Sequence, residues 1–326
     1  MSGIPNVAVT KNPLVQVAKL PEIKSRQKID WRTIKKQRYL IFMSVPFLIW
    51  LLIFAYGPLW GWLMAFQNYK PHLGIFGSEW VGFEHFQRML SDSLFHEAIR
   101  NTIGQSLYML ILGTVMPIAF ALILNEIRFL RFKRIAQTIS YLPHFVSWVV
   151  VASILGLMLN TVGPVNTFLV ETGLADRPVS FLGEPKYFWP LLGVAETWKS
   201  MGWNAIIYIA AIASVDQTHY EAAAVDGAGR WRKMWHITLP GITTVAVIIF
   251  VLNIGRILDV GFERQILLGN PINQSHSVTI DQFALERINL MRFSYGTAVG
   301  MFKSLISLVL VFSANRFARK MDAGVF

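Results

Sequence analysis

Six long runs of apolar residues, separated by polar segments, dominate the pattern of this 326-residue chain. A helix that crosses a bilayer needs about 20 mostly apolar residues, so each run predicts a membrane span. The apolar residues come in blocks rather than in amphipathic stripes, which is typical of helices in lipid. The predicted spans are residues 39–66, 98–124, 136–160, 188–213, 241–260 and 294–317. We therefore expect an all-α, polytopic membrane protein.

Composition supports this fold class. Hydrophobic residues make up 54% of the chain and charged residues 15%, and the mean hydropathy is +0.45. Soluble domains carry about 25% charged residues. No cysteine is present, which excludes disulfides and thiolate metal sites.

The third predicted span contains Pro143 and His144 and is less apolar than most. In the outer segment after the fifth span, residues 279–289 are long enough for a re-entrant or a surface helix.

Basic residues mark one side of the membrane. Nine Lys and Arg lie in the N-terminal tail (1–38), and others follow spans two, four and six. The alternate segments mix both signs, so the positive-inside rule places both termini and the loop at 214–240 in the cytoplasm. The net charge of +11 therefore indicates topology rather than a nucleic-acid partner. The predicted organisation is a basic tail followed by a transmembrane domain (39–320).

The polar loop at 218–240 is predicted to form two short helices joined by a turn. Thr218 and Glu221 have the spacing of a capping box, with Thr218 as the N-cap. Asp226-Gly227 is a turn signal, because glycine accepts a positive φ and Asp can cap the helix that follows. The second, basic segment is expected to stop at Pro240. Such a loop would present a narrow projection to another protein.

Catalytic and cofactor motifs are not found in the sequence. The pattern G-x-x-x-x-G-K-[ST] does not occur, so the chain does not itself carry a P-loop for ATP. The patterns H-E-x-x-H and G-x-S-x-G are also missing, and the seven histidines are dispersed. We expect neither an enzyme nor a cofactor or metal ion bound by this chain.

Polar residues inside the predicted spans are the candidates for a substrate path, because such groups are costly in lipid. The candidates are Glu196, Lys199, Asn204, Asn253, Arg256 and Asp259. Glu196 and Lys199 are three apart, so they share a helix face and could pair. The last three recur at a spacing of three and predict one polar stripe on span five. A structural network between helices and a polar wall along a substrate path both fit this pattern.

The loop reads E-A-A-x-x-D-G-A-x-x-W-x-x-x-x-x-I-T-L-P, which resembles the cytoplasmic signature of the membrane subunits of type I binding-protein-dependent ABC importers. The matching residues are Glu221, Ala222, Ala223, Asp226, Gly227, Ala228, Trp231, Ile237, Thr238, Leu239 and Pro240. Met234 stands where many relatives carry Phe. Segments at 56–58, 269–271 and 293–300 resemble the carbohydrate-uptake branch, especially permeases for pectin- and alginate-derived oligosaccharides.

The resemblance also implies the other subunits of the transporter and its cargo. It implies the type I importer fold in the bacterial inner membrane, with a second homologous permease, two ATPase subunits that use ATP and Mg²⁺, and an extracytoplasmic solute-binding protein. The cargo would be oligosaccharides, including acidic ones. Glu221 would contact the ATPase, Gly227 would make the tight turn, and Trp231 would anchor the loop to the membrane domain. A permease for another solute class and, less favoured, a self-sufficient secondary transporter remain alternatives.

Overall fold

Helices make up most of the part of the chain that the computed structural model describes, which is residue 35 and residues 37–319. Most of the predicted basic tail lies outside these residues. The helices are α1 (Arg38–Leu51), α2 (Gly74–Gly77), α3 (Glu84–Leu90), α4 (Ser93–Glu126), α5 (Leu130–Tyr141), α6 (Trp148–Met158), α7 (Pro164–Glu171), α8 (Phe188–Ala213), α9 (Gln217–Val225), α10 (Arg230–Lys233), α11 (Leu239–Gly255), α12 (Glu263–Leu268), α13 (Gln274–Ser277), α14 (Ile280–Asn289) and α15 (Phe293–Arg319). One short antiparallel pair, β1 (Gln67–Asn68) and β2 (Glu79–Trp80), places Gln67 opposite Trp80.

The chain divides into two units, with the boundary between Leu59 and Trp60. In the first, α1 is apolar and its side chains are exposed, as expected of a surface that meets lipid or a partner helix. A π-helical turn (Leu52–Tyr56) follows α1 and leads into a 3-10 helix (Gly57–Phe66). The wider turn precedes Pro58, which has no N–H to donate to a regular helical ladder.

Four helical segments among the described residues are long and apolar enough to cross a membrane, and a bent pair would make a fifth. The four are Arg38–Phe66, Ser93–Glu126, Arg230–Gly255 and Phe293–Arg316. Helix α8 has the bounds predicted for the fourth span but is not one of these four segments. Glu196 and Lys199 make its middle less apolar. The six-span topology with cytoplasmic termini therefore stays a prediction.

The third predicted span, 136–160, is not one helix. Helix α5 leads through a 3-10 turn (Leu142–Phe145) to α6, and the two parts meet at an angle of 101°. Pro143 lies in that turn, where its missing N–H and fixed φ disfavour a continuous helix. Ser147 then begins α6 as its N-cap, and its Oγ accepts from the Val150 N–H at 3.4 Å. The break is the physical reason for the difference from the prediction.

Close packing of α4 against α8 forms the centre of the second unit. A Cβ built at Gly104 would lie 2.5 Å from the Trp189 ring, and one at Gly193 would lie 2.9 Å from Cβ of Tyr108. The two helices approach this closely because glycine leaves room for the facing side chain. Farther along the same pair, buried Tyr208 packs in a cluster with residues of α4 and α11. These contacts bring α4, α8 and α11 together.

The outer segment between α11 and α15 folds onto the beginning of α4. Side-chain amides of α4 hold its backbone: Asn101 donates to the Val278 carbonyl and Gln105 to the His276 carbonyl, both at 3.0 Å. Thr279 caps α14, so a helix in the segment 279–289 is confirmed, and its place as a re-entrant or a surface helix stays a prediction. This segment closes one end of the helix cluster and positions α12 beside it.

Candidate functional site

A cavity of about 190 Å³ lies between α4, α8, α11 and α12. Five of the six predicted substrate-path residues line it, which are Glu196, Asn204, Asn253, Arg256 and Asp259. Ser106 and Ser200 add hydroxyl groups to the wall. On α8 the lining residues Glu196, Ser200 and Asn204 recur every four positions, so they share one helix face. The polar residues predicted inside spans four and five thus form polar walls of this cavity.

Lys199 does not line this cavity, and the predicted pairing of Glu196 with Lys199 is wrong. The Lys199 Nζ donates to the His144 carbonyl at 2.6 Å. That carbonyl lies in the turn before α6, so Lys199 ties the bend to α8. Beside it, the His144 ring stacks on Trp203 with centroids 4.6 Å apart. In this structure Lys199 holds the bend, and its place on a substrate path stays a prediction.

Glu196 instead forms an ion pair with Arg264 of α12. Arg264 lines the cavity and is largely buried. Its guanidinium also donates to the Val260 carbonyl and lies 5.3 Å from the centre of the Trp148 ring. Sequence reasoning did not find Arg264, because it follows the fifth span rather than lying inside one. No local pattern couples it to Glu196, which is 68 residues away.

The predicted polar stripe on span five is only partly helical. Helix α11 ends at Gly255, and Arg256 is its C-cap with φ −104°. The chain then turns tightly, since the Arg256 N–H donates to the Asn253 carbonyl at 3.1 Å and the Asp259 N–H donates to the Arg256 carbonyl at 2.8 Å. A span that continues to residue 260 is therefore wrong. These turns nevertheless keep all three predicted side chains in the cavity wall.

Two ionic contacts hold the turn after α11. Lys303 of α15 has its Nζ 2.6 Å from both Oδ1 of Asp259 and Oδ1 of Asp281. The Asp281 carboxylate also accepts from the Gly261 N–H at 3.0 Å. Gly261 has φ +80°, a region that favours glycine. Lys303 was visible in the sequence as a charged residue inside the sixth predicted span, and it was missed.

The exposed loop at 216–240 begins differently from the prediction. Asp216, not Thr218, is the N-cap of α9, and its carboxylate accepts from the Thr218 N–H at 2.9 Å. This hydrogen bond holds the pKa of the Asp216 carboxyl below its ordinary value. Asp216 takes the cap because its carboxylate lies one residue before the helical backbone and reaches the free N–H groups. The predicted capping box with Glu221 is therefore wrong, and Glu221 lies exposed on α9.

The turn predicted at Asp226-Gly227 is confirmed. Gly227 has φ +71°, and its N–H donates to the Ala224 carbonyl at 3.1 Å. The Ala228 N–H donates to the Ala223 carbonyl at 2.8 Å, which completes a Schellman motif at the end of α9. Asp226 is the C-cap of α9 rather than a cap for the next helix, which begins after Gly229 without a side-chain cap.

The second arm of the loop does not stop at Pro240. Helix α10 passes through a π-helical turn (Met234–Thr238) into α11, and Arg230–Gly255 is one continuous helix. Pro240 falls in the first turn of α11, where the wider hydrogen-bond spacing of the preceding turn accommodates its missing N–H. Tyr220 Oη and Thr238 Oγ1 lie 2.9 Å apart and link the two arms.

Trp231 is 75% exposed and lines an apolar cavity of about 590 Å³. Ile118 and Leu122 of α4 also line this cavity, so the ring faces one end of α4. At the tip of the loop, Val225 is 89% exposed.

Within residues 35 and 37–319, no group of three or more His, Asp or Glu side chains lies close enough together to hold a metal ion.

Comparison with known proteins identifies the fold and the family. Residues 109–325 match the family of binding-protein-dependent transport system inner membrane components. This chain belongs to that family. It is 43% identical to the polygalacturonan/rhamnogalacturonan transport system permease protein YteP of Bacillus subtilis (strain 168), over 89% of this chain and 91% of the relative. It is 39% identical to Protein LplB of the same organism, over 93% and 95% of the two chains.

Two solved structures resemble the permease. One is a bacterial ABC transporter involved in the import of the acidic polysaccharide alginate, with TM-score 0.81 and 38% identity over 89% of this chain and 98% of that chain. The other is a bacterial alginate ABC transporter in complex with an alginate pentasaccharide-bound periplasmic protein, with TM-score 0.82 and 37% identity over 90% and 98%. The predicted all-α membrane fold and the ABC-importer family are thereby confirmed.

Proposed function

We propose that this permease subunit forms one side of the translocation path of an ATP-driven importer for oligosaccharides that carry carboxylates. It would act in the bacterial inner membrane with a second permease, two ATPase subunits and an extracytoplasmic solute-binding protein. The named activities of its relatives, pectin-derived and alginate import, support this cargo class. ATP and Mg²⁺ would be used by the ATPase subunits, because the sequence has no P-loop.

The observation that carries the cargo assignment is Arg256 in the cavity wall. Within the described ranges, its guanidinium makes no ion pair or hydrogen bond, while both cavity carboxylates have cationic partners. A guanidinium matches a carboxylate with two parallel hydrogen bonds. Asn204 and Asn253 beside it offer amide donors and acceptors for sugar hydroxyls. One free cation among amides and hydroxyls suits a uronic-acid unit better than a neutral sugar.

The loop at 218–240 would couple this path to the ATPases. Glu221, Ala222 and Val225 are exposed on α9, and the Gly227 turn fixes the angle between the arms. Glu221 would make a charged contact in the ATPase cleft, with Ala222, Ala223, Asp226 and Ala228 fitting closely around it. Trp231, Leu239 and Pro240 would carry the movement into α11. Movement of α11 would in turn shift Asn253 at the cavity.

The test uses the whole complex, with its solute-binding protein, in proteoliposomes. Uptake of labelled oligogalacturonides is compared with uptake of the same oligosaccharides after carboxyl reduction. In Arg256→Met we expect the KM for the acidic cargo to rise by about tenfold, since a charge-assisted hydrogen bond contributes about 1.5–3 kcal/mol. Arg256→Lys should recover part of the loss, because it keeps the charge and loses the bidentate geometry.

The matched control is Arg177→Met, which removes an exposed arginine of an outer segment. Unchanged kinetics in both Arg256→Met and Asn253→Ala would contradict the substrate path and favour a structural network. A wild-type complex that imports the reduced oligosaccharides as well as the acidic ones would contradict the acidic cargo.

A further inference from the structure

Each carboxylate of the cavity wall contacts a cation, and one of these cations, Lys303, is shared with Asp281. Glu196 pairs with Arg264 and Asp259 pairs with Lys303. Arg264 is itself a lining residue, whereas Lys303 reaches Asp259 from α15 behind the wall. Among the described lining residues, Arg256 is the charged side chain without an ionic partner.

The Asp259–Lys303 pair is asymmetric in exposure. The side chain of Asp259 is 57% exposed and that of Lys303 is 14% exposed, so the carboxylate faces the cavity and the ammonium lies behind it. Asp281, the second carboxylate on Lys303, is 20% exposed and also accepts from the Gly261 N–H. Among the described residues, Lys303 is the side chain that compensates Asp259.

We propose that Lys303 determines the charge specificity of the path by acting through Asp259. The inference rests on the proposed function, because it concerns an anionic cargo. With Lys303 present, the charge of the Asp259 carboxylate is partly compensated, so an incoming carboxylate meets Arg256 with less repulsion. Without Lys303, two carboxylates would approach to ~8 Å in a medium of effective dielectric constant ~30, which weakens binding on the order of tenfold. A neutral oligosaccharide would not sense this charge.

The experiment measures the ratio of oligogalacturonide uptake to uptake of its carboxyl-reduced counterpart by the complete complex. Lys303→Met should lower this ratio about tenfold. Adding Asp259→Asn should recover most of the loss, because the more exposed of the two carboxylates is then gone, and the Asp281 carboxylate that remains is 20% exposed and accepts from the Gly261 N–H. Asp259→Asn alone should raise the ratio above the wild-type value, because Lys303 would then have a weaker partner. This last variant keeps the Lys303–Asp281 pair, so it also decides the matter if Lys303→Met does not assemble.

The matched control is Lys186→Met. Lys186 lies 2.6 Å from Glu184, the same distance as in the Lys303–Asp259 pair, but its side chain is 65% exposed on an outer segment. The control should keep the wild-type ratio. An equal fall for both cargoes in Lys303→Met, no recovery in the double variant, or an unchanged ratio in Asp259→Asn would overturn the proposal. A wild-type complex that imports neither cargo would instead overturn the proposed function, and this inference with it.

Discussion

Gly227 allows a direct test of the coupling loop, because its backbone conformation and its surroundings can be separated. Its φ is +71°, and a Cβ built there would meet no atom within 4 Å. Gly227→Ala therefore adds no clash and costs only the left-handed backbone, about 1–2 kcal/mol for an L-residue. That energy lowers the population of the native turn by about 5- to 30-fold. Gly227→Asn should be milder, because Asn tolerates this region.

Gly227→Pro should be the most severe change in this series. Proline fixes φ near −65° and has no N–H, whereas the native turn needs a positive φ and donates from Gly227 to the Ala224 carbonyl. Gly229→Ala is the matched control, since Gly229 has φ −70° and is also free of contacts within 4 Å. An alanine at that position meets neither strain nor a clash.

The assay is cargo imported per ATP hydrolysed by the reconstituted complex, with retention of the ATPase subunits during purification as the second readout. We expect the Gly229→Ala complex to behave like wild type, followed in declining order by Gly227→Asn, Gly227→Ala and Gly227→Pro. Equal losses in the two alanine variants, or normal uptake in Gly227→Pro, would refute the assignment of this turn to coupling.

Two further predictions concern stability. Gly202→Ala would place a Cβ 2.1 Å from the Ser140 carbonyl oxygen, so overpacking should destabilise the protein by about 1–3 kcal/mol, measured as a lower Tm. Gly156→Ala, where a Cβ meets open space, should not lower the Tm. Asp216→Ala should speed amide hydrogen exchange in the first turn of α9, and Asp216→Asn should do so less. The pKa of the Asp216 carboxyl is lowered in the folded state. The stabilisation of the first turn by this carboxylate is therefore present above the ordinary carboxyl pKa and is lost as the pH falls through the folded value. A protection factor of these amides that does not fall at low pH would contradict this.

Local composition predicts the helices well, because burial in lipid requires apolar residues along the whole span. The bounds predicted for the fourth span are those of α8, and the positive φ at Gly227 follows from the residue type. Proline positions were harder to interpret. Pro143 coincides with a sharp break, whereas Pro240 lies in a continuous helix, and the difference depends on the turn that precedes each proline rather than on proline itself.

Pairing between distant residues could not be predicted. Lys199 is only three residues from Glu196 in the sequence, yet the ionic partner of Glu196 is Arg264 of α12. Which cation is nearer depends on where the chain places α12, which packs against α6, a helix far away in the sequence. Lys303 could have been found from the sequence, because an ionisable residue inside an apolar span needs a partner. Its partner on the turn after α11 could not, since the end of α11 at Gly255 was not foreseen.

The continuity of α11 with α10 bears directly on how the loop could act on the cavity. Arg230–Gly255 is one helix, and the distance along it from Arg230 to Asn253 is roughly 35 Å at a rise of 1.5 Å per residue. A helix broken at Pro240 would absorb a displacement of the loop at the break. A continuous helix transmits that displacement to its far end, where Asn253 and Arg256 line the cavity. The contact between Asp259 and Lys303 of α15 lies just beyond the end of α11. This contact ties the turn after α11 to α15 and would therefore resist a displacement of α11.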